Sequence, residues 1–276
     1  KFGPYYQEVN MAWMWARLHV RSPRLGYFEG GFQAFVDRLT AVVREVGGDI
    51  RLNCPVESIR RENGALVVTA GGEAGRYDAC LVTTSPGLLA RLAPELAGDY
   101  LGQVLALKSM GAVVLTLALN HPLMADSHTY WLNIPAASPD KAGGMPFLAL
   151  VEHTNYIDRR HYGGDHILYC GDYVTPDHPY MTMSQTDLEE LFVGVLHHVN
   201  PEFRREWVRR SWLFRARYAQ PVPGLNHSRA IPDLRTPVPG LYFASMSQVY
   251  PWDRGTNFAV EIGRRVAGLM LADAAQ

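Results

Sequence analysis

Near the carboxyl end, the string Asp253-Arg254-Gly255-Thr256-Asn257 stands between a short apolar run, Leu241-Tyr242-Phe243-Ala244, and a long helical pattern. If the helix begins near Gly255, its first-turn N–H groups have no partner within the helix and carry partial positive charge. Such a tip suits an anion or an electron-rich carbonyl. Gly255 leaves room for a ligand there, and Asp253 or Thr256 is placed to cap the helix. Ala259, Ile262, Gly263, Val266, Ala267 and Met270 share one face, whose small residues permit close approach to a sheet. An ordinary capped terminal helix fits the same pattern, and periodicity alone favours it.

Other residues could face a ligand. His153 follows a strand-like run, Tyr218 precedes the Pro-rich stretch 221–239, and Tyr250 and Trp252 flank the start of the last helix. Taken singly, a His after a strand is usually a hydrogen-bonded residue, and a Tyr or Trp is usually packing. Position favours Tyr250, Trp252 and the backbone of Arg254 to Asn257. Lys108, just before a strand-like run, is a weaker candidate. His197 and His198 are adjacent on a helical pattern and cannot both face one metal. Asp172, Asp177 and His178 are near in sequence with nothing to fix their geometry. No G-x-S-x-G is present, so metal and hydrolase chemistry are set aside.

The elements that would hold these residues read as follows. Residues 5–20 predict a helix broken at Ser22-Pro23, and Phe32, Phe35, Val36, Leu39, Val42 and Val43 predict a second, ended by Gly47-Gly48. Alternation at 50–52, then Pro55-Val56, Asn63-Gly64 and Leu66–Thr69 predict strands around a tight hairpin. Gly71-Gly72 marks a further turn and 77–84 another strand, stopped by Pro86. Beyond it, strands are expected at 110–119, 129–134, 146–152, 166–174 and 207–216. One helix is expected among them, with Thr186-x-x-Glu189 as a capping box.

In this order the segments resemble a known family. GLYFAS followed by GTNFAVEIGRRVAGLML is similar to the C-terminal flavin motif of the FAD amine oxidase, protoporphyrinogen oxidase and phytoene desaturase superfamily. Glu29-Gly30-Gly31-Phe32, Cys54 to Ile59 and Tyr77 to Pro86 resemble three further segments of it. The resemblance implies FAD as cofactor, with contacts from Val56, Thr84, Pro86, Ser245, Met246, Arg254, Gly255, Thr256 and Asn257, and a substrate pocket near His153, Tyr218, Tyr250 and Trp252. It implies an α/β fold of mixed α+β character: a partial Rossmann-like FAD domain with a β-hairpin insertion, and a substrate domain with a mixed sheet and covering helices. The expected boundaries are 24–86 with 232–276 for the first, and 1–23 with 87–231 for the second. Two departures stand out. Ser245 and Met246 replace the family's usual Gly-acid pair, and no G-x-G-x-x-G opens the chain. The expectation is therefore a C-terminal piece that partners an N-terminal segment of the same polypeptide and is inactive alone.

Composition fits this reading. The 276 residues are 47% hydrophobic and 19% charged, with formal charge −1, which gives no basic face for nucleic acid. No apolar run is long enough for a transmembrane helix. Cys54, Cys80 and Cys170 sit in strand-like runs without CxxC spacing, as reduced, buried thiols of a cytoplasmic protein would. The expected function is oxidation or desaturation of a small organic substrate by hydride transfer to FAD. A non-redox flavin-dependent sugar mutase or isomerase is the alternative, as is a non-catalytic fragment.

Overall fold

The computed structural model describes residues 1–20, 26–125, 129–135 and 144–275, so the expected break at Ser22-Pro23 lies outside the described residues. The chain divides into two compact units. One comprises Lys1–Gln7 and Ser109–Gln220, the other Glu8–Lys108 and Pro221–Gln276. These boundaries differ from the expected ones: residues 8–20, 87–108 and 221–231 fold with the helix-ending segment.

The second of these units opens with α1 (Met11–His19), whose N-cap Asn10 accepts from Trp13 N at 3.0 Å. Helix α2 (Gly31–Glu45) follows and ends where Gly47 turns at φ 87°. Three antiparallel strands come next, β1 (Val56–Glu62), β2 (Ala65–Ala70) and β3 (Glu73–Tyr77). Asn63-Gly64 and Gly71-Gly72 make their turns with positive φ at all four residues, as two-residue hairpin loops require. No strand forms at 50–52, where the sequence predicts one. β3 went unseen in the sequence because Glu-Ala-Gly-Arg carries little β propensity.

The strand read as 77–84 is only β4 (Cys80–Val82). Pro86 does not merely stop it but opens α3 (Pro86–Leu92), which is followed by α4 (Gly98–Ala106). Near the end of the chain, β10 (Leu241–Phe243) pairs in parallel with β4, Leu241 opposite Cys80 and Phe243 opposite Val82. A short helix α6 (His227–Ala230) precedes β10, and the long helix α7 (Thr256–Ala274) follows it. The core under β10 gathers Ile59, Leu66, Val82, Leu89, Leu92, Val104 and Phe243; a second layer packs Tyr242 and Ala244 against Ile262 and Val266 of α7. Ala259 and Ala267, expected on the inner face of α7, are exposed.

The other unit is a five-stranded sheet in the order β6-β7-β8-β5-β9, made of β5 (Ser109–Leu119), β6 (Trp131–Asn133), β7 (Ala149–Glu152), β8 (His166–Val174) and β9 (Val208–Pro221). Leu115, Leu117, Leu150, Leu168 and Cys170 are fully buried there. Helix α5 (Gln185–Val193) covers the sheet with Leu188 and Phe192. Its cap is Ser184, which accepts from Asp187 N at 3.1 Å, so the Thr186 capping box is corrected by two residues.

Candidate cofactor site

The loop from β10 to α7 is built from buried polar bonds. Gln248, 6% exposed, accepts from Ser245 N at 2.7 Å through Oε1 and donates through Nε2 to Phe243 O and Pro232 O. Its amide thereby closes the turn that leaves the strand. Ser245 Oγ is buried and faces Gln248 N in a capping box, with no acceptor for its own proton. Met246 instead packs with the Tyr242, Ile262 and Val266 layer.

Residues 249–255 then approach the helix along a path set by α1. Asn10 Nδ2 donates to Pro223 O and Gly224 O at 3.1 and 2.7 Å, and Tyr250 Oη lies 3.4 Å from Asn10 Oδ1. Trp13 Nε1 donates to Asp253 Oδ1 at 3.3 Å, and Arg17 pairs with Asp253 Oδ2. A histidine the sequence reading passed over, His227, is buried against Tyr250 with ring centroids 5.3 Å apart. Its Nε2 lies 3.1 Å from Ser247 O, and a carbonyl only accepts, so Nε2 carries the proton. Burial lowers the His227 pKa, against the opposing pull of the bond to Ser247 O.

The helix tip is open. Gly255 is the N-cap in extended conformation and brings no side chain to the amides of α7. Neither Asp253 nor Thr256 caps it, contrary to the sequence expectation. Asn257 folds back over Gly255, so that a Cβ there would stand 2.8 Å from Asn257 Oδ1 and 3.5 Å from the Phe258 ring. Thr256 and Asn257 are exposed. Trp252 stacks on Phe258 with planes 3° apart, and a cleft of about 70 Å³ lies beside the first turns, walled by Tyr250, Trp252, Phe258, Glu261 and Arg265.

The structure thus gathers Tyr250, Trp252, Arg254, Gly255, Thr256 and Asn257 around the start of α7. Ser245 and Met246 follow β10, Thr84 and Pro86 follow its partner β4, and Val56 opens β1 in the same unit. His153 and Tyr218 belong to the other unit. His153 is 7% exposed, and its Nε2 lies 2.6 Å from Tyr162 Oη. Lys108 pairs with Glu8 at 2.6 Å. The rings of His197 and His198 are 4.1 Å apart, and no group of three or more metal-ligating side chains occurs among the described residues.

The family model for flavin containing amine oxidoreductases matches residues 5–271. The chain belongs to that family. Among solved structures, this family member is similar to a protein from Exiguobacterium sp. 255-15 assigned as a protoporphyrinogen oxidase, at 17% identity and TM-score 0.72 over 98% of this chain and 59% of that one. It is similar to an oxidoreductase from Methanosarcina mazei at 22% identity and TM-score 0.57, over 79% and 49%. A putrescine oxidase with putrescine bound aligns at 16% identity and TM-score 0.61, over 88% and 53%. At these identities the likeness is one of fold. The family member spans about half to three fifths of the length of these neighbours. Among curated proteins there is no match.

The residues present suit the family's cofactor. An uncapped helix tip and the proton of the buried Ser245 hydroxyl are donors, and a flavin pyrimidine edge supplies carbonyl and ring-nitrogen acceptors. No helix among the described residues is long and apolar enough to cross a membrane.

Proposed function

We propose that this chain is the carboxyl-terminal part of an FAD-dependent oxidoreductase that oxidises or desaturates a small organic substrate. The observation that carries the reading is the uncapped amino end of α7 beside Tyr250 and Trp252, in a chain of the flavin amine oxidoreductase family. FAD, when bound, would accept a hydride from the substrate. The amides of Thr256 and Asn257 would hold its pyrimidine edge and favour negative charge there. Gly255 would let the ring approach, with Ser245 as a further donor and Arg254 as a cation beside the site. Tyr250 and Trp252 would flank the ring on the substrate side. Val56, Thr84, Pro86 and Met246 would line the remainder of the FAD path.

We place the rest of the FAD site in a segment of the same polypeptide outside these 276 residues. Two observations support this. β4 is a terminal strand of a two-stranded parallel sheet, whereas parallel sheets normally run to several strands buried on both faces. Helix α2 buries none of its residues, and Phe32, Val36 and Leu39 are each about half exposed.

The test is the flavin absorption band of the polypeptide extended by its upstream coding sequence. A colourless preparation after FAD addition ends the reading. Anaerobic bleaching of the band by substrate supports net oxidation. Turnover without bleaching assigns the isomerase alternative instead.

A further inference from the structure

Aspartate near a helix start ordinarily caps it, and Asp253 stands two residues ahead of the N-cap Gly255. In the structure its carboxylate points elsewhere. Oδ1 accepts from Trp13 Nε1 at 3.3 Å, Oδ2 pairs with Arg17, and only 11% of the side chain is exposed. Arg17 also lies over the Trp13 ring, 5.4 Å from its centroid, so the two donors are held as a pair. Helix α1 is in turn fixed by Asn10, whose side chain bonds Pro223 O and Gly224 O.

We infer that α1 is a positioning element that holds Asp253 away from the amino end of α7, so that the first-turn amides stay open to the flavin. The inference rests on the flavin reading above. Its physical content is a competition. A released carboxylate would take the same amides that the cofactor's carbonyl edge needs, and would set a negative charge where the reduced ring gathers its own. Trp13 and Arg17 bind that carboxylate and Arg17 neutralises it, which removes the competitor without removing the residue.

The experiment compares, in the full-length polypeptide, wild type, W13F/R17M, D253A and the triple variant W13F/R17M/D253A. In the flavin-free proteins, hydrogen exchange of the peptide covering 253–260 is expected to slow about tenfold in W13F/R17M, as Asp253 swings onto the helix, and to return in the triple variant. With FAD added, the dissociation constant is expected to rise about tenfold in W13F/R17M and the flavin midpoint potential to move negative. Both should stay near wild type in D253A and return to near wild type in the triple variant. If D253A weakens binding as much as W13F/R17M, and the triple variant is no better, Asp253 is only a tie for the loop and the inference falls. Unchanged exchange in W13F/R17M also overturns it, whether or not flavin binds. A wild type that takes up no FAD ends the flavin assignment, while the exchange comparison still decides the role of α1.

Discussion

Gly255 shows how one absent side chain can matter to a ligand more than to the fold. Its backbone is extended, so any residue could adopt it, and a Cβ would meet only the mobile Asn257 amide and the Phe258 edge. G255A should therefore change stability by no more than about 1 kcal/mol. It should still weaken FAD binding about tenfold, because the displaced Asn257 side chain would crowd the amides; a flavin fluorescence titration beside a urea melt reads both. Glu152 presents the opposite case, a charge with no part in the proposed chemistry. It is fully buried and accepts from the amides of Leu123, at 2.8 Å, and Met124. Burial raises its pKa, and those amide bonds only partly offset this. The folded state then holds the proton more tightly than the unfolded chain does. Stability should fall as pH rises from about 4.5 through the raised value. E152Q should abolish that slope in denaturant titrations at several pH values, and E152A should cost about 2–3 kcal/mol by leaving two amides unpaired. At this scale the sequence was informative wherever a residue's role is local. Gly255 as the helix start and Gly47 as a stop could be read directly. The fates of Asp253, Ser245 and His227 could not, because each depends on a partner remote in the chain, Trp13 being 240 positions from Asp253.

Among the elements, long periodic segments were legible and short or weakly patterned ones were not. β8 runs over the expected 166–174, and β5 and β9 lie within a few residues of expectation, because each carries an apolar alternation that one face of a sheet demands. Helices α3 and α4 were missed: neither exceeds nine residues, and Pro86, read as a stop, also serves as a first helical residue. The pattern in α2 predicted the helix correctly but suggested a buried stripe, and the stripe is exposed. Periodicity says which face is apolar and not what covers it. At the centre of the five-stranded sheet, Leu117 of β5 is wholly enclosed. L117A should destabilise by about 2–5 kcal/mol in a denaturant melt, through lost burial and the cavity left behind.

At the scale of the whole molecule, the exposed stripe of α2 and the free edge of β4 belong to the same unit, the one that ends in α7. If a further segment of the polypeptide covers them, L39E should be nearly silent in the 276-residue chain, within about 0.5 kcal/mol, since Leu39 is half exposed there. In the longer polypeptide the same substitution should destabilise by about 2 kcal/mol or more, as an unpaired charge placed in a core does. Paired melts of the two chain lengths separate these outcomes.

The far end of α7 sets the reach of the near one. Arg235 grips Asp273 with two bonds of 2.7 and 2.8 Å, and Tyr242 Oη donates to the same carboxylate at 2.6 Å. These bonds hold the Asp273 pKa down at about 2, so the clasp weakens only as acid carries the solution from about pH 4 toward 2. The helix of 19 residues is a lever about 28 Å long. Tilting it about 5° at that fulcrum would swing its opposite extremity by roughly 2.5 Å, nearly the span of one hydrogen bond. The clasp at Asp273 thus joins the packing of Ile262 and Val266 in fixing the aim of the whole rod.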